Sequence, residues 1–135
     1  QEARSTLLLA QDVGAGEALA DSEEYAVERL AVEHLSAETV ERLVQELLGG
    51  VLDYDRRRGT RLLETLEQWL RSGCNTAGTA RALFLERQSM HSRLTRIFEL
   101  IGGDPRGTPR LAGLSLAVRL ARHPLYAEAE PPARE

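Results

Sequence analysis

Arg87, Gln88, Ser89, His91, Ser92 and Arg93 stand close together in the chain. Their guanidinium, amide, hydroxyl and imidazole groups are the ones able to donate to or accept from the edges of bases. On a helix starting near Arg87, at about 100° per residue, Met90, Leu94, Ile97, Phe98 and Ile101 fall in one narrow arc. Gln88, Ser89, Ser92, Arg96 and Glu99 point away from that arc, and His91, Arg93 and Thr95 flank it. One face is therefore expected in a core and the other free to enter a major groove. Arg87, Gln88, Ser89, His91, Ser92 and Arg93 are the base-reading candidates. Asn75, Thr76 and Thr79, at the start of a preceding short helix, and Arg96 are the phosphate candidates. The N-terminus of the longer helix also favours phosphate oxygens. Glu86 is placed to cap that helix, although its charge opposes close approach to a polyanion.

Other chemistries find no support in the chain. There is no Gly-rich phosphate loop, no pair of histidines at metal spacing and no local Ser, His and acid set. His34, His91 and His123 are scattered. Cys74 is the only cysteine, so no internal disulfide and no cysteine-rich zinc site can form. An enzyme is not expected, and neither is a cofactor or a metal.

The elements that must position these groups all read as helices, so an all-α fold is expected, with no strand. From Asp21 the pattern turns helical, with Asp21 or Ser22 as cap and Val27, Leu30, Ala31 and Leu35 at helical spacing. Ser36 opens a second helix, where Val40, Leu43, Val44, Leu47 and Leu48 form a stripe, and Gly49-Gly50 is expected to end it. Val51 to Tyr54 then reads as a connector before Arg56-Arg-Arg58. Thr60 is expected to cap a helix carrying Leu62, Leu63, Leu66, Trp69 and Leu70, which Gly73 stops. Asn75 caps a short helix from Thr76 to about Leu83. The longer helix runs from about Arg87 to Ile101, and Gly102-Gly-Asp-Pro105 breaks it. Thr108-Pro109 opens a last helix with Leu111, Leu114, Leu116, Val118 and Leu120.

Two details concern the joint between the short and the long helix. Ala80 and Ala82 are small enough for helices to cross closely. Leu83 and Leu85 should bracket the turn and point inward. Turns of this kind favour a positive φ, which Gly supplies easily; here Phe84 or a neighbour must adopt it. Such strain costs about 1 kcal/mol, to be offset if the Phe84 ring packs against the Trp69 helix.

Charge divides the chain. The net charge of −4 conceals a first stretch, residues 1–55, with 3 Arg against 13 acidic residues, and a second, 56–123, with 13 Arg against 5. Such a split suggests that the second half faces a polyanion. All basic residues are Arg, as a GC-rich coding bias also produces. Leu7-Leu8-Leu9 is too short for a membrane span. The chain opens on Gln1 without Met and is expected to be a piece of something longer. The expected organisation is a poorly structured lead-in (1–20), an acidic helical connector or dimerisation segment (21–58), a helix-turn-helix domain (59–123) and a flexible tail (124–135).

A family resemblance follows from motifs spread over about residues 50–123. Leu62-Leu-Glu-Thr-Leu66, Ala80-Arg-Ala-Leu-Phe84, Arg93-Leu94, Arg96-Ile97 and Glu99-Leu100 resemble the C-terminal helix-turn-helix domain of PucR-type bacterial transcriptional regulators. These are the purine-catabolism and sugar-diacid regulator relatives. Tyr54-Asp55, Arg58-Gly59-Thr60, Arg110-Leu111 and Leu116-Ala117-Val118-Arg119-Leu120 are similar to the same pattern. Departures fall in the reading helix. Glu86, Gln88, Ser89, His91 and Ser92 stand where the family commonly has His, Asn, Thr, Arg and Tyr, while Arg87, Arg93 and Leu94 match. The helix pair also resembles that of the nucleoid protein Fis, an analogy that places Arg87 and the next turn near bases.

The resemblance implies a small helical bundle with a Fis-like helix-turn-helix, and acidic N-terminal helices packed on it or leading into it. It implies sequence-specific binding of double-stranded DNA in the bacterial cytoplasm, with no membrane contact. It also implies a homodimer in the full-length protein and a sensory domain outside this segment. The alternative is a helical protein-interaction or dimerisation module without direct DNA binding.

Overall fold

The structure, a computed structural model, describes residues 15–127. The lead-in before Ala15, with Leu7-Leu8-Leu9, and the tail beyond Ala127 lie outside the described residues. Among the described residues every regular element is a helix: α1 (Ala15–His34), α2 (Ala37–Arg58), α3 (Leu62–Arg71), α4 (Thr76–Ala82), α5 (Arg87–Ile101), α6 (Arg110–Ala121) and the single turn α7 (Pro124–Ala127). The fold is all-α, as expected. The chain divides into two compact units between Ser36 and Ala37.

In the first unit α1 starts at Ala15, six residues before the Asp21 start read from the sequence. Ala31 is buried, while Tyr25, Val27, Leu30 and Leu35 are exposed.

The second unit is a bundle in which α2 packs on α3, α5 and α6, and α3 packs on α4, α5 and α6. Its core holds Val40, Val44, Leu48 and Val51 from α2, and Leu62, Leu66 and Trp69 from α3. Met90, Leu94, Ile97 and Ile101 of α5 join them, with Leu114, Ala117, Val118 and Leu120 of α6. Packing is tight enough that Leu48, Val51, Leu66, Trp69, Ile97 and Leu120 show no accessible surface. The packed unit thus starts at Ala37. The charge boundary near Arg56 is not a structural one, because α2 turns its apolar stripe inward whatever charge its outer face carries.

Gly49-Gly50 does not end α2, which continues through Val51–Tyr54 to Arg58. A Cβ on Gly50 would stand 2.9 Å from the Leu100 carbonyl oxygen. Gly50 therefore serves the close crossing of α2 and α5 rather than a helix stop. Helix propensity alone counts two glycines as a break; burial of the flanking Leu48 and Val51 overrides it.

The start of α3 is also capped differently from the expectation. Arg61 occupies the cap position and Thr60 does not cap the helix. Instead the Asp55 carboxylate, in the last turn of α2, accepts from the backbone N–H of Leu62 at 2.8 Å and of Leu63 at 2.9 Å. The Thr60 hydroxyl donates to the same carboxylate at 2.6 Å. Two first-turn donors of α3 are satisfied by a neighbouring helix, and an anion sits at the positive end of its dipole. The angle between α2 and α3 is thereby fixed by hydrogen bonds as well as by packing.

Candidate nucleic-acid interface

α4 and α5 form the helix pair that carries the candidate residues. Asn75 caps α4 as expected, its Oδ1 accepting from the Gly78 N–H at 2.9 Å. At the other end Leu85 N–H donates to Ala80 O at 2.8 Å and Phe84 N–H to Arg81 O at 3.2 Å. This is the bonding of a Schellman motif, with Phe84 at φ 57° in the left-handed position. Phe84 thus adopts the positive φ foreseen for the turn. Its ring does not offset the strain, because the residue is 95% exposed. The ring beside Trp69 belongs to Phe98, at 5.5 Å between centroids. Leu83 and Leu85 are half-buried at the turn, Ala80 is buried and Ala82 is exposed, so only Ala80 serves the tight crossing.

The second helix shows the two faces drawn from its periodicity. Met90, Leu94, Ile97 and Ile101 are buried, while Arg87, Gln88, Ser89, His91, Ser92, Arg96 and Glu99 are exposed. Among the described residues, the side chains of Arg87, Gln88, Ser89, His91 and Ser92 make no hydrogen bond or ion pair. Their donors and acceptors are available to a partner. Glu86 holds the cap position but makes no capping hydrogen bond, against the expectation, so it leaves the first N–H groups of α5 unpaired by its side chain.

Arg93 is placed otherwise. It is half-buried, and its Nη1 donates to Thr65 Oγ1 of α3 at 2.9 Å. Thr65 is fully buried and its hydroxyl donates to Arg61 O at 3.1 Å. The guanidinium therefore ties α5 to α3 instead of standing on the free face.

Among the phosphate candidates, Asn75 is exposed. Thr76 is half-buried and its hydroxyl accepts from Trp69 Nε1 at 3.2 Å, which leaves its own O–H to be donated. Thr79 corrects the expectation: it is 0% exposed, its hydroxyl donating to Asn75 O at 2.8 Å and meeting Ser72 Oγ at 3.2 Å. A buried hydroxyl already bonded on both sides cannot reach a phosphate. Arg96 is exposed, paired with Glu99 at 2.9 Å and lying 5.4 Å from the centroid of the Tyr54 ring.

Neither the Tyr54 arrangement nor the role of Asp55 as a cap for α3 is visible in local spacing. Asp55 lies seven residues before Leu62, far outside the spacing of a local cap. Burial pushes the Cys74 thiol up, against the opposing pull of Arg106. No helix among the described residues is long and apolar enough to cross a membrane, and none of their side chains group as metal ligands.

Residues 62–120 match the family model of the PucR C-terminal helix-turn-helix domain. No curated protein and no solved structure is similar enough to the chain to count as a match. The match begins at the first residue of α3 and ends within α6, so it spans α3, the helix pair and the contact between Arg93 and Thr65, and leaves out α2.

Proposed function

We propose that residues 62–120, which match the PucR C-terminal helix-turn-helix domain, are the DNA-binding part of a PucR-type regulator, and that α5 enters the major groove and reads sequence there. Arg87, Gln88, Ser89, His91 and Ser92 meet base edges, and Asn75, Thr76 and Arg96 meet phosphates. Arg93 is a positioning residue that holds α5 at its angle to α3. The observation that carries this reading is the set of five exposed, unpartnered polar side chains on a helix whose opposite face is sealed in the core. Unsatisfied donors and acceptors in that number suit a polar surface such as a groove floor. A protein-docking bundle would not require them on one helix.

The departures from the family pattern in Gln88, Ser89, His91 and Ser92 give the protein its own operator. Action in the cytoplasm, a homodimer on two half-sites about 34 Å apart, and control by a sensory domain elsewhere in the full-length protein complete the proposal. Selection of bound duplexes from a random pool by the purified protein tests it. Enrichment of a short motif, with affinity that falls steeply with salt, is the expected result. A pool that stays random through repeated rounds contradicts it.

A further inference from the structure

The Arg-rich end of α2 lies outside residues 62–120 and has no part in the base-reading face. Its position is set by two contacts. Gly50 crosses α5 at Leu100, and four residues later the Tyr54 ring meets Arg96, four residues earlier on α5. The two helices therefore run antiparallel, and α2 carries its last turn toward the N-terminal half of α5, where the free polar groups are. Arg58 lies over the same Tyr54 ring, its guanidinium carbon 5.3 Å from the centroid. One ring thus gathers two cations from two helices.

These two arginines differ from their neighbours. Arg56 and Arg57 both reach Asp53, at 3.8 Å and 2.9 Å, and are partly neutralised. Arg58 is exposed and, among the described residues, makes no ion pair. Arg96 has Glu99, but an exposed pair of that kind is weak and readily exchanged. Two like charges drawn to one aromatic ring repel each other, and an anion that reaches both offsets that repulsion. Planar guanidinium groups suit phosphate oxygens in particular.

We infer that Arg58 and Arg96, gathered on Tyr54, form a phosphate clamp that grips one strand of the duplex beside the groove entered by α5. The clamp rests on the DNA-binding role proposed above, and it makes α2 part of the DNA-contacting unit. Its contacts fall on the backbone, so it adds affinity and register without altering which sequence is read.

The test measures binding of the protein to its selected duplex over a range of salt, for the wild type, Arg58→Gln, Arg96→Gln and the double variant. Each lost phosphate contact should lower the slope of log affinity against log salt by about 0.9, and weaken binding at physiological salt about five-fold. The double variant should lose about twice the slope of either single one, and the recovered motif should not change. Tyr54→Leu, which leaves the charge untouched, should weaken binding in the same direction, with helix content and melting followed to confirm that the bundle is folded. A wild-type slope in Arg58→Gln or in the double variant overturns the clamp while leaving the groove-reading role intact. A shifted motif in Arg58→Gln also overturns it, since that is the mark of a base contact. Absence of duplex binding by the wild type overturns both.

Discussion

The Arg93 guanidinium donates to the hydroxyl of fully buried Thr65 at 2.9 Å, and this bond joins α5 to α3, the helix that carries Trp69. Leu94 and Ile97 are buried on the inner side of α5, and the Arg93 bond adds a polar tie to α3 beside them. Such a tie resists rotation of α5 about its own axis, and rotation would change which of its side chains face outward.

That bond has a measurable coupling. Arg93→Ala should lower unfolding stability by about 1–2 kcal/mol, as expected for a hydrogen bond from a charged donor. In a double-mutant cycle with Thr65→Val, urea melts should give a coupling energy of about 1 kcal/mol. Strict additivity would show that the contact contributes nothing.

The cap that Asp55 supplies to α3 makes a second prediction. Asp55→Ala leaves the N–H groups of Leu62 and Leu63 without their acceptor and should cost about 1–2 kcal/mol. Asp55→Asn keeps one oxygen acceptor and should recover part of that loss. Equal stability of both variants and the wild type in denaturant melts would remove Asp55 from this role.

Gly49 and Gly50 are adjacent on α2 but should respond oppositely to alanine. A Cβ at Gly49 meets only the end of the flexible Gln45 side chain, so Gly49→Ala should gain up to about 1 kcal/mol in helix propensity. A Cβ at Gly50 meets the Leu100 carbonyl, which belongs to a backbone that cannot swing away. Gly50→Ala should lose about 1–3 kcal/mol by forcing α2 and α5 apart. Thermal melts of the two variants decide this, and a stabilised Gly50→Ala would contradict the close crossing.

Phe84 allows backbone strain to be isolated from side-chain contacts, since its ring is almost fully exposed. Both Phe84→Gly and Phe84→Ala remove the ring, but only glycine relaxes the left-handed backbone. The glycine variant should be the more stable of the two by about 1 kcal/mol. If alanine equals glycine, the turn is not held at positive φ in solution.

Much of this was legible in the chain because helical periodicity and local capping are short-range signals. The spacing of Met90, Leu94, Ile97 and Ile101 marked the buried face of α5, and Asn75 marked the start of α4. Where a neighbour in space decides, the sequence misled. Gly49-Gly50 looked like a stop because the crossing partner, Leu100, lies fifty residues from Gly50. Thr60 looked like the cap of α3 because the true acceptor, Asp55, belongs to another helix. Thr79 looked like a phosphate ligand because its burial depends on Ser72 and α3, and Arg93, at the flank of the buried arc, looked like a base reader because Thr65 is distant in sequence. The same reason hides the Tyr54 cluster, which needs the antiparallel crossing of α2 and α5 to exist.

Methylation interference on the selected duplex tests the central claim most directly. Methyl groups on guanine N7 stand in the major groove, and those on adenine N3 stand in the minor groove. Entry of α5 into the major groove predicts that guanine N7 methylation within the motif abolishes binding, and that Gln88→Ala relieves the interference at one position. Binding blocked only by adenine N3 methylation, and indifferent to Gln88→Ala, would contradict the account.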